Sequence, residues 1–249
     1  MCTVYQAFNR KNSEECWAVR VMKVPEQDIL HKIKIEAAVM SMCSNPNIVN
    51  YHSSYYYMNC LFMFIEFMDG GCLTEVIYQY MRNIPENIAA FIMKEILLGL
   101  DVLHRHKQIH RDLKSDNILV DKNGRIKVAD FGFAIQLTKE QKNRKSVVGT
   151  PAWMAPELIK KEMYNELVDV WSVGVVAVEL AEGEPPFLRL PALKAMYFIS
   201  TKDAYRLNKM KFSENYCDFV ARCLEKDIKK RWSIRQLLKH PFITQIGNG

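Results

Sequence analysis

No stretch of this chain is apolar for long enough to span a bilayer. The longest run, "VWSVGVVAVELA" at 170–181, is interrupted by Ser172 and Glu179 and falls short of the roughly 18 residues required. It reads as a buried helix, and no membrane span is expected. The opening "MCTVYQAFNRKNSEE" lacks the apolar core and small-residue cleavage site of a secretory leader, so a cytoplasmic location is the default expectation. The seven cysteines include no C-x-x-C pair; odd in number and scattered, they fit reduced thiols better than bridges or zinc ligands. Internal repeats, low-complexity tracts and flexible linkers are missing too, which excludes solenoid and disordered classes.

What is present is an ordinary globular composition, 49% apolar and 25% charged over 249 residues, enough for one large domain or two lobes. The net charge of +6 comes partly from "KEQKNRK" (139–145) and "KDIKKR" (226–231). Neither run interleaves aromatics, so they read as solvated surface and nucleic acid is not an expected partner. The first third alternates as strands ("TVYQAFN", "CWAVRVMKV", "YHSSYYY", "CLFMFIEFM") around one helical stretch from about Asp28 to Cys43. Beyond "DGG" the pattern turns helical. Ile88, Ile92, Ile96, Leu100 and Leu103 follow a Pro85 start signal, short strands flank the turn "DKNG", and amphipathic segments recur near 155–161, 166–182, 191–199, 213–224 and 233–239. The expected class is α+β: a small antiparallel-sheet lobe with one helix (1–68) and a larger, mainly helical lobe (69–249), hinged near Glu66–Gly71.

Two stretches carry chemistry. In "CWAVRVMKV", strand alternation sets Ala18, Arg20, Met22 and Val24 on one face and Trp17, Val19, Val21 and Lys23 on the other, so a fixed cation sits between two apolar residues. A long side chain reaching to water would account for Arg20 taken alone. In "IHRDLKSDNILV" and "VADFG", two loops bracket a short hairpin and bear Asp112, Lys114, Asn117 and Asp130. Such a set suits phosphoryl transfer: Asp112 to orient a hydroxyl and accept its proton, Lys114 to neutralise the group in flight, Asn117 and Asp130 as hard oxygen ligands for magnesium. Singly, the same residues would serve as a turn former, a surface charge, a cap and a loop acid.

With "HRDLKSDN", "DFG" and "APE" in order, the chain resembles the eukaryotic protein kinases over essentially its whole length. Lys114 and Thr150 follow the serine/threonine pattern. Phe133 after "DFG" is of the kind that accompanies serine as acceptor. "NPNIVNYHSSY", "VVGTPAWMAPE" and "EGEPPF" look most like the PAK group of the sterile-twenty class. The resemblance implies Mg2+ and ATP as cofactors. It places Val4, Ala18 and Leu119 against the adenine, Ile65 behind it, and backbone hydrogen bonds from Glu66 and Met68. Arg111 and Asp169 would steady the catalytic loop, Glu157 would pair with Arg231, and His110 and Phe131 would belong to the hydrophobic spine. Ser146 would be the regulatory phosphosite, answered by Arg111. Protein substrates are implied, with Asp116 and Glu179 at positions that hold an upstream arginine. Rho-family GTPases control that group through a segment absent from these 249 residues, so that partner belongs to a longer parent.

Two departures matter. Where the family has Val-Ala-x-Lys, this chain has "WAVR": Ala18 matches the alanine, Glu36 the helix glutamate, and Arg20 stands for the phosphate lysine. Shifting the register to use Lys23 would put Val21 over the adenine and present the opposite face, so Arg20 is the residue expected at the phosphates. Its planar fork cannot replace a compact ammonium without moving phosphates or Glu36. The chain also opens at "MCTVY", where the family has a glycine-rich loop leading into Thr-Val-Tyr, leaving Cys2 in place of the last glycine. The expectation is a serine/threonine kinase domain that keeps nucleotide binding and is strongly impaired in transfer. The alternatives behind Arg20 are a natural pseudokinase scaffold and an active kinase altered at one residue.

Overall fold

The computed structural model describes residues 2–12, 15–23, 36–80, 84–137 and 146–245. Four antiparallel strands form the first lobe: β1 (Cys2–Phe8), β2 (Cys16–Lys23), β3 (Tyr51–Tyr57) and β4 (Cys60–Glu66), in the order β1-β2-β4-β3. Directly opposed residues share a face. Ala18 pairs with Ile65, Arg20 with Met63 and Met22 with Leu61, so the expected alternation of β2 is realised. Leu61, Met63 and Ile65 are buried in the core, which sets the Ala18–Arg20–Met22 face inward. The helical residues 36–42, α1, pack there through buried Val39 and Met40. The expected earlier part of that helix, from Asp28 to residue 35, lies outside the described residues, as do Val24 and the basic run 139–145.

Gly70 carries the chain out of the sheet lobe. Its N–H donates to the Val120 carbonyl at 3.0 Å, and an added Cβ would lie 2.8 Å from that oxygen. Only glycine permits this approach of the hinge to the second lobe. Helix α2 (Leu73–Gln79) follows, opened by a capping box in which the Glu75 carboxylate accepts from the Cys72 N–H at 3.1 Å. Sequence patterning did not single it out, because it is two turns long and capped by a cysteine. Helix α3 (Glu86–Arg105) buries Ile92, Ile96, Leu100 and Leu103 as expected. Ile88 departs from that stripe, being 44% exposed in the first turn.

The strands β5 (Gln108–Ile109) and β8 (Ile135–Gln136) pair, as do β6 (Ile118–Val120) and β7 (Ile126–Val128). The remaining helices are α4 (Pro156–Ile159), α5 (Leu167–Glu182), α6 (Ala192–Thr201), α7 (Glu214–Cys223), α8 (Ile234–Leu237) and α9 (Pro241–Thr244). Helix α5 is buried from Val168 to Leu180 and is the axis of this lobe, as a sequence apolar on every face apart from Asp169, Ser172 and Glu179 requires. No helix among the described residues is long and apolar enough to cross a membrane.

Candidate active site

The acidic centre is built on the segment between β5 and β6. Asp112 is 6% exposed. Its Oδ1 accepts from the Thr150 N–H at 2.8 Å and the Thr150 hydroxyl at 2.7 Å. Thr150 Oγ1 in turn accepts from Lys114 Nζ at 3.1 Å, and that ammonium lies 3.8 Å from Asp112 Oδ2. Asn117 donates through Nδ2 to the Asp112 carbonyl at 2.8 Å and to its Oδ2 at 3.3 Å. The Asn117 carbonyl accepts from Ala129 N–H at 2.9 Å, which brings the loop holding Asp130 alongside. Asp130 stands at the mouth, its side chain 45% exposed. Asp112, Lys114, Asn117, Thr150 and Asp130 are thus brought together.

The frame behind them is buried. Asp169, at the start of α5, is fully buried; its Oδ2 accepts from the His110 N–H and its Oδ1 from the Arg111 N–H, both at 2.9 Å, while His104 Nε2 lies 2.9 Å from Oδ2. Burial opposes the charge on Asp169, and the bonds from His104 and Arg111 overcome it, holding the carboxyl below its ordinary value. His110 Nε2 meets the Ala129 carbonyl at 2.9 Å, and a carbonyl can only accept, so Nε2 carries the proton and Nδ1 receives the Asp112 N–H at 3.3 Å. His110 also packs edge-on against Phe131, ring centres 5.2 Å apart. Arg111 and Asp130 both hold left-handed backbone, φ 67° and 61°, conformations that non-glycine residues keep only where the surroundings impose them.

Arg111 donates to the Phe133 carbonyl at 2.7 Å, to Ser146 Oγ at 2.8 Å and to the Tyr164 hydroxyl at 3.0 Å. The expected Arg111–Ser146 pair is therefore in contact, and Tyr164 joins it.

Arg20 crosses the cleft as the β2 register requires. One arm of its guanidinium donates to Glu36 Oε1 of α1, and the other lies 3.7 Å from Asp130 Oδ1. Glu36 is 3% exposed; burial pushes its carboxyl up, against the pull of Arg20. Val4 on β1 sits directly opposite Arg20, Ala18 opposite Ile65, Leu119 on β6 bridges to Cys72, and Met68 is buried.

Three features were not legible beforehand. The Glu66 carboxylate faces away from the cleft and accepts from Lys127 Nζ at 2.8 Å and Asn50 Nδ2 at 3.0 Å. Glu179 is 4% exposed and its oxygens accept from Ser115 Oγ at 2.5 Å and Trp153 Nε1 at 2.7 Å. It braces the site from inside, whereas Asp116 is exposed. Ser115 extends that chain of bonds to Thr74 of α2 at 2.7 Å. The Glu157–Arg231 pair forms as expected, at 2.6 and 3.1 Å.

A family model described as "Protein kinase domain" matches residues 1–243. The chain is 45% identical over 248 residues to "Serine/threonine-protein kinase pakA" of Dictyostelium discoideum, a match that covers 99% of this chain and 21% of that protein. It is 43% identical over 228 residues to "Serine/threonine-protein kinase pakB" of the same organism (90% of this chain, 27% of that one). It is 42% identical over 242 residues to "Serine/threonine-protein kinase PAK 1" of Mus musculus (97% of this chain, 44% of that one). The chain thus spans less than half the length of these relatives. With its motifs folded around one acidic centre between a sheet lobe and a helical lobe, the chain belongs to the protein kinase domain family, as a PAK-like member of the serine/threonine type.

Proposed function

We propose that this domain binds Mg-ATP in the cleft between its lobes, with the lobe boundary at 68/69, and transfers the γ-phosphate to protein serine or threonine hydroxyls only weakly as it stands. The observation that carries this reading is the Arg20 guanidinium set between Glu36 and Asp130.

Asn117 and Asp130 fit a magnesium ion: they offer hard oxygens, and this metal takes one or two protein ligands and completes its shell with phosphate and water. Among the described residues no group of three or more His, Cys, Asp or Glu could hold a metal without such help. When bound, the ion neutralises charge on the phosphates. The chain's own residues supply the rest. Asp112, fixed by Thr150 and Asn117, points Oδ2 at the acceptor hydroxyl and takes its proton. Lys114 offers its charge beside that oxygen. Val4, Ala18, Leu119 and the backbone of Glu66 and Met68 hold the adenine. Exposed Asp116 favours substrates that are basic just upstream of the acceptor.

Arg20 disturbs one part of this set. A lysine would present a point charge to the phosphates and to Glu36. Arginine presents a planar five-donor fork, and its second arm leans on the Asp130 oxygen that a metal needs. Regulation by Ser146 phosphorylation, a cytoplasmic location and, in a longer parent, control by a Rho-family GTPase belong to the same reading. A scaffold that binds partners without transferring phosphate rests on the same Arg20–Asp130 contact.

One experiment divides the two. Turnover on a serine peptide and ATP binding, with and without Mg2+, are measured for the Arg20 form and for Arg20→Lys, with Asp130→Asn as control. We expect turnover to rise on the order of 100-fold, the usual worth of about 1 Å in positioning, and ATP affinity to change by only a few-fold because the adenine contacts are untouched. A lysine form that turns over no faster gives the scaffold reading.

A further inference from the structure

A row of hydrogen bonds runs behind the acidic centre and joins three parts of the chain. The Glu179 carboxylate accepts the Ser115 hydroxyl on Oε1 at 2.5 Å and the Trp153 indole N–H on Oε2 at 2.7 Å. On its other side, Ser115 Oγ lies 2.7 Å from the Thr74 hydroxyl. Ser115 has one proton and gives it to Glu179, so the proton between the two hydroxyls comes from Thr74. Ser115, Glu179 and Trp153 are all buried, which keeps water from competing for these bonds and makes each of them sensitive to the next.

Both ends of the Glu179 clamp abut the groups around Asp112. Ser115 directly follows Lys114, in the short turn closed by the Asn117 N–H on the Lys114 carbonyl at 3.0 Å. Trp153 gives its backbone N–H to the Thr150 carbonyl, also at 3.0 Å. Lys114 and Thr150 are themselves joined at 3.1 Å, beside the Thr150 bond to Asp112. One carboxylate therefore sets how far apart Lys114 and Thr150 stand. Thr74 belongs to another part of the molecule, the first turn of α2. The entry to that helix is fixed on β6 by the Gly70 N–H on the Val120 carbonyl at 3.0 Å and the Val120 N–H on the Gly71 carbonyl at 2.9 Å. A hydroxyl held by the hinge thus selects the orientation of a serine in the catalytic loop. Take it away, and the buried Ser115 oxygen loses its donor.

We propose that Thr74 is a positioning residue for phosphoryl transfer, which through Ser115 and Glu179 fixes the spacing of Lys114 and Thr150 and so the aim of Asp112 at the acceptor hydroxyl. The role rests on the reading of this domain as a phosphotransferase. Because the Thr74 hydroxyl is spent on Ser115, its effect falls on the transfer step and not on nucleotide affinity.

The test measures turnover on a serine peptide in the Arg20→Lys background, at a pH above the value of about 7 to which burial pushes the Glu179 carboxyl. Thr74→Val keeps the shape of the side chain and removes the hydroxyl. We expect kcat to fall about tenfold, between the worth of one hydrogen bond and that of about 1 Å in positioning. KM for ATP should stay within about twofold, and thermal unfolding should show the variant folded. Thr74→Ser, which keeps the hydroxyl, should retain full turnover. Ser115→Ala should lower kcat further, and Thr74→Val added to it should change nothing more, because the partner is already gone. Amide exchange at residues 114–117 should quicken in Thr74→Val. Turnover by Thr74→Val within about twofold of its parent, a loss carried by KM or by unfolded protein, a Thr74→Ser form as slow as the valine form, unchanged exchange at 114–117, or independent effects of the two substitutions would each overturn the proposal. Absence of turnover in the Arg20→Lys parent itself is a different failure: it overturns the phosphotransferase reading, and this role with it.

Discussion

Glu179 shows how much the behaviour of a single carboxyl depends on what is packed around it. Its place in α5 follows from the sequence, but its role depends on what surrounds it. Burial pushes its carboxyl up from an ordinary 4.5 to about 7, against the bonds from Ser115 and Trp153. A group whose pKa is raised on folding contributes stability that is full below the unfolded value and is lost as pH rises through the folded one. The domain should therefore lose about 3 kcal/mol of unfolding free energy between roughly pH 4.5 and 7 from this residue, at about 1.4 kcal/mol per pKa unit. Glu179→Gln keeps the shape without the charge, and should flatten that part of the curve in urea unfolding measured across the pH range. An unchanged slope would mean that another group titrates there.

At the scale of elements, what was legible depended on periodicity. Strand β2 could be read in register because alternation assigns every side chain to a face, whereas the match of Arg20 to Glu36 came from the family resemblance and not from the pattern. The long helices α3 and α5 were legible for the same reason. Helix α2 was not, since seven residues give too few turns for a stripe and its Cys72 cap is not among the usual Ser, Thr, Asp or Asn signals. The partners of Glu66 and Glu179 were not legible either, because they come from residues far apart in sequence that only tertiary packing brings together.

The segment around Ser146 is held by side-chain bonds that a charge would alter. Its hydroxyl touches Arg111 at 2.8 Å and the Tyr164 hydroxyl at 3.0 Å, so a phosphate there, carrying about −1.5 to −2 charges, would meet a cation already in place. In an Arg20→Lys background, phosphorylated Ser146 should slow hydrogen exchange at residues 146–150. It should also raise peptide turnover about tenfold, the order of a new charge-assisted bond. Ser146→Ala should remain at the unmodified level, and equal protection in both states would sink the switch.

At the scale of the whole molecule, the two lobes are joined behind the cleft as well as across it. Lys127 of β7 is 3% exposed, and its ammonium donates to Glu66 at the end of β4 at 2.8 Å, where Asn50 also donates at 3.0 Å. The hinge is thus tied to the helical lobe by a largely buried ion pair on the side away from the phosphates, while Arg20, Glu36 and Asp130 link the lobes from the front. Removing one partner of such a pair strands the other charge, which costs about 3–5 kcal/mol, whereas removing both is far milder. Lys127→Met should accordingly destabilise the domain by about 3 kcal/mol and speed amide exchange at residues 66–71. Lys127→Met combined with Glu66→Gln should recover most of the stability, because no charge is left buried alone, but not the slow exchange of the hinge, because the tie between lobes stays cut. If the double substitution restored both, the pair would serve stability alone, and the alignment of the lobes would rest on the Arg20 contacts and the Gly70–Val120 bond.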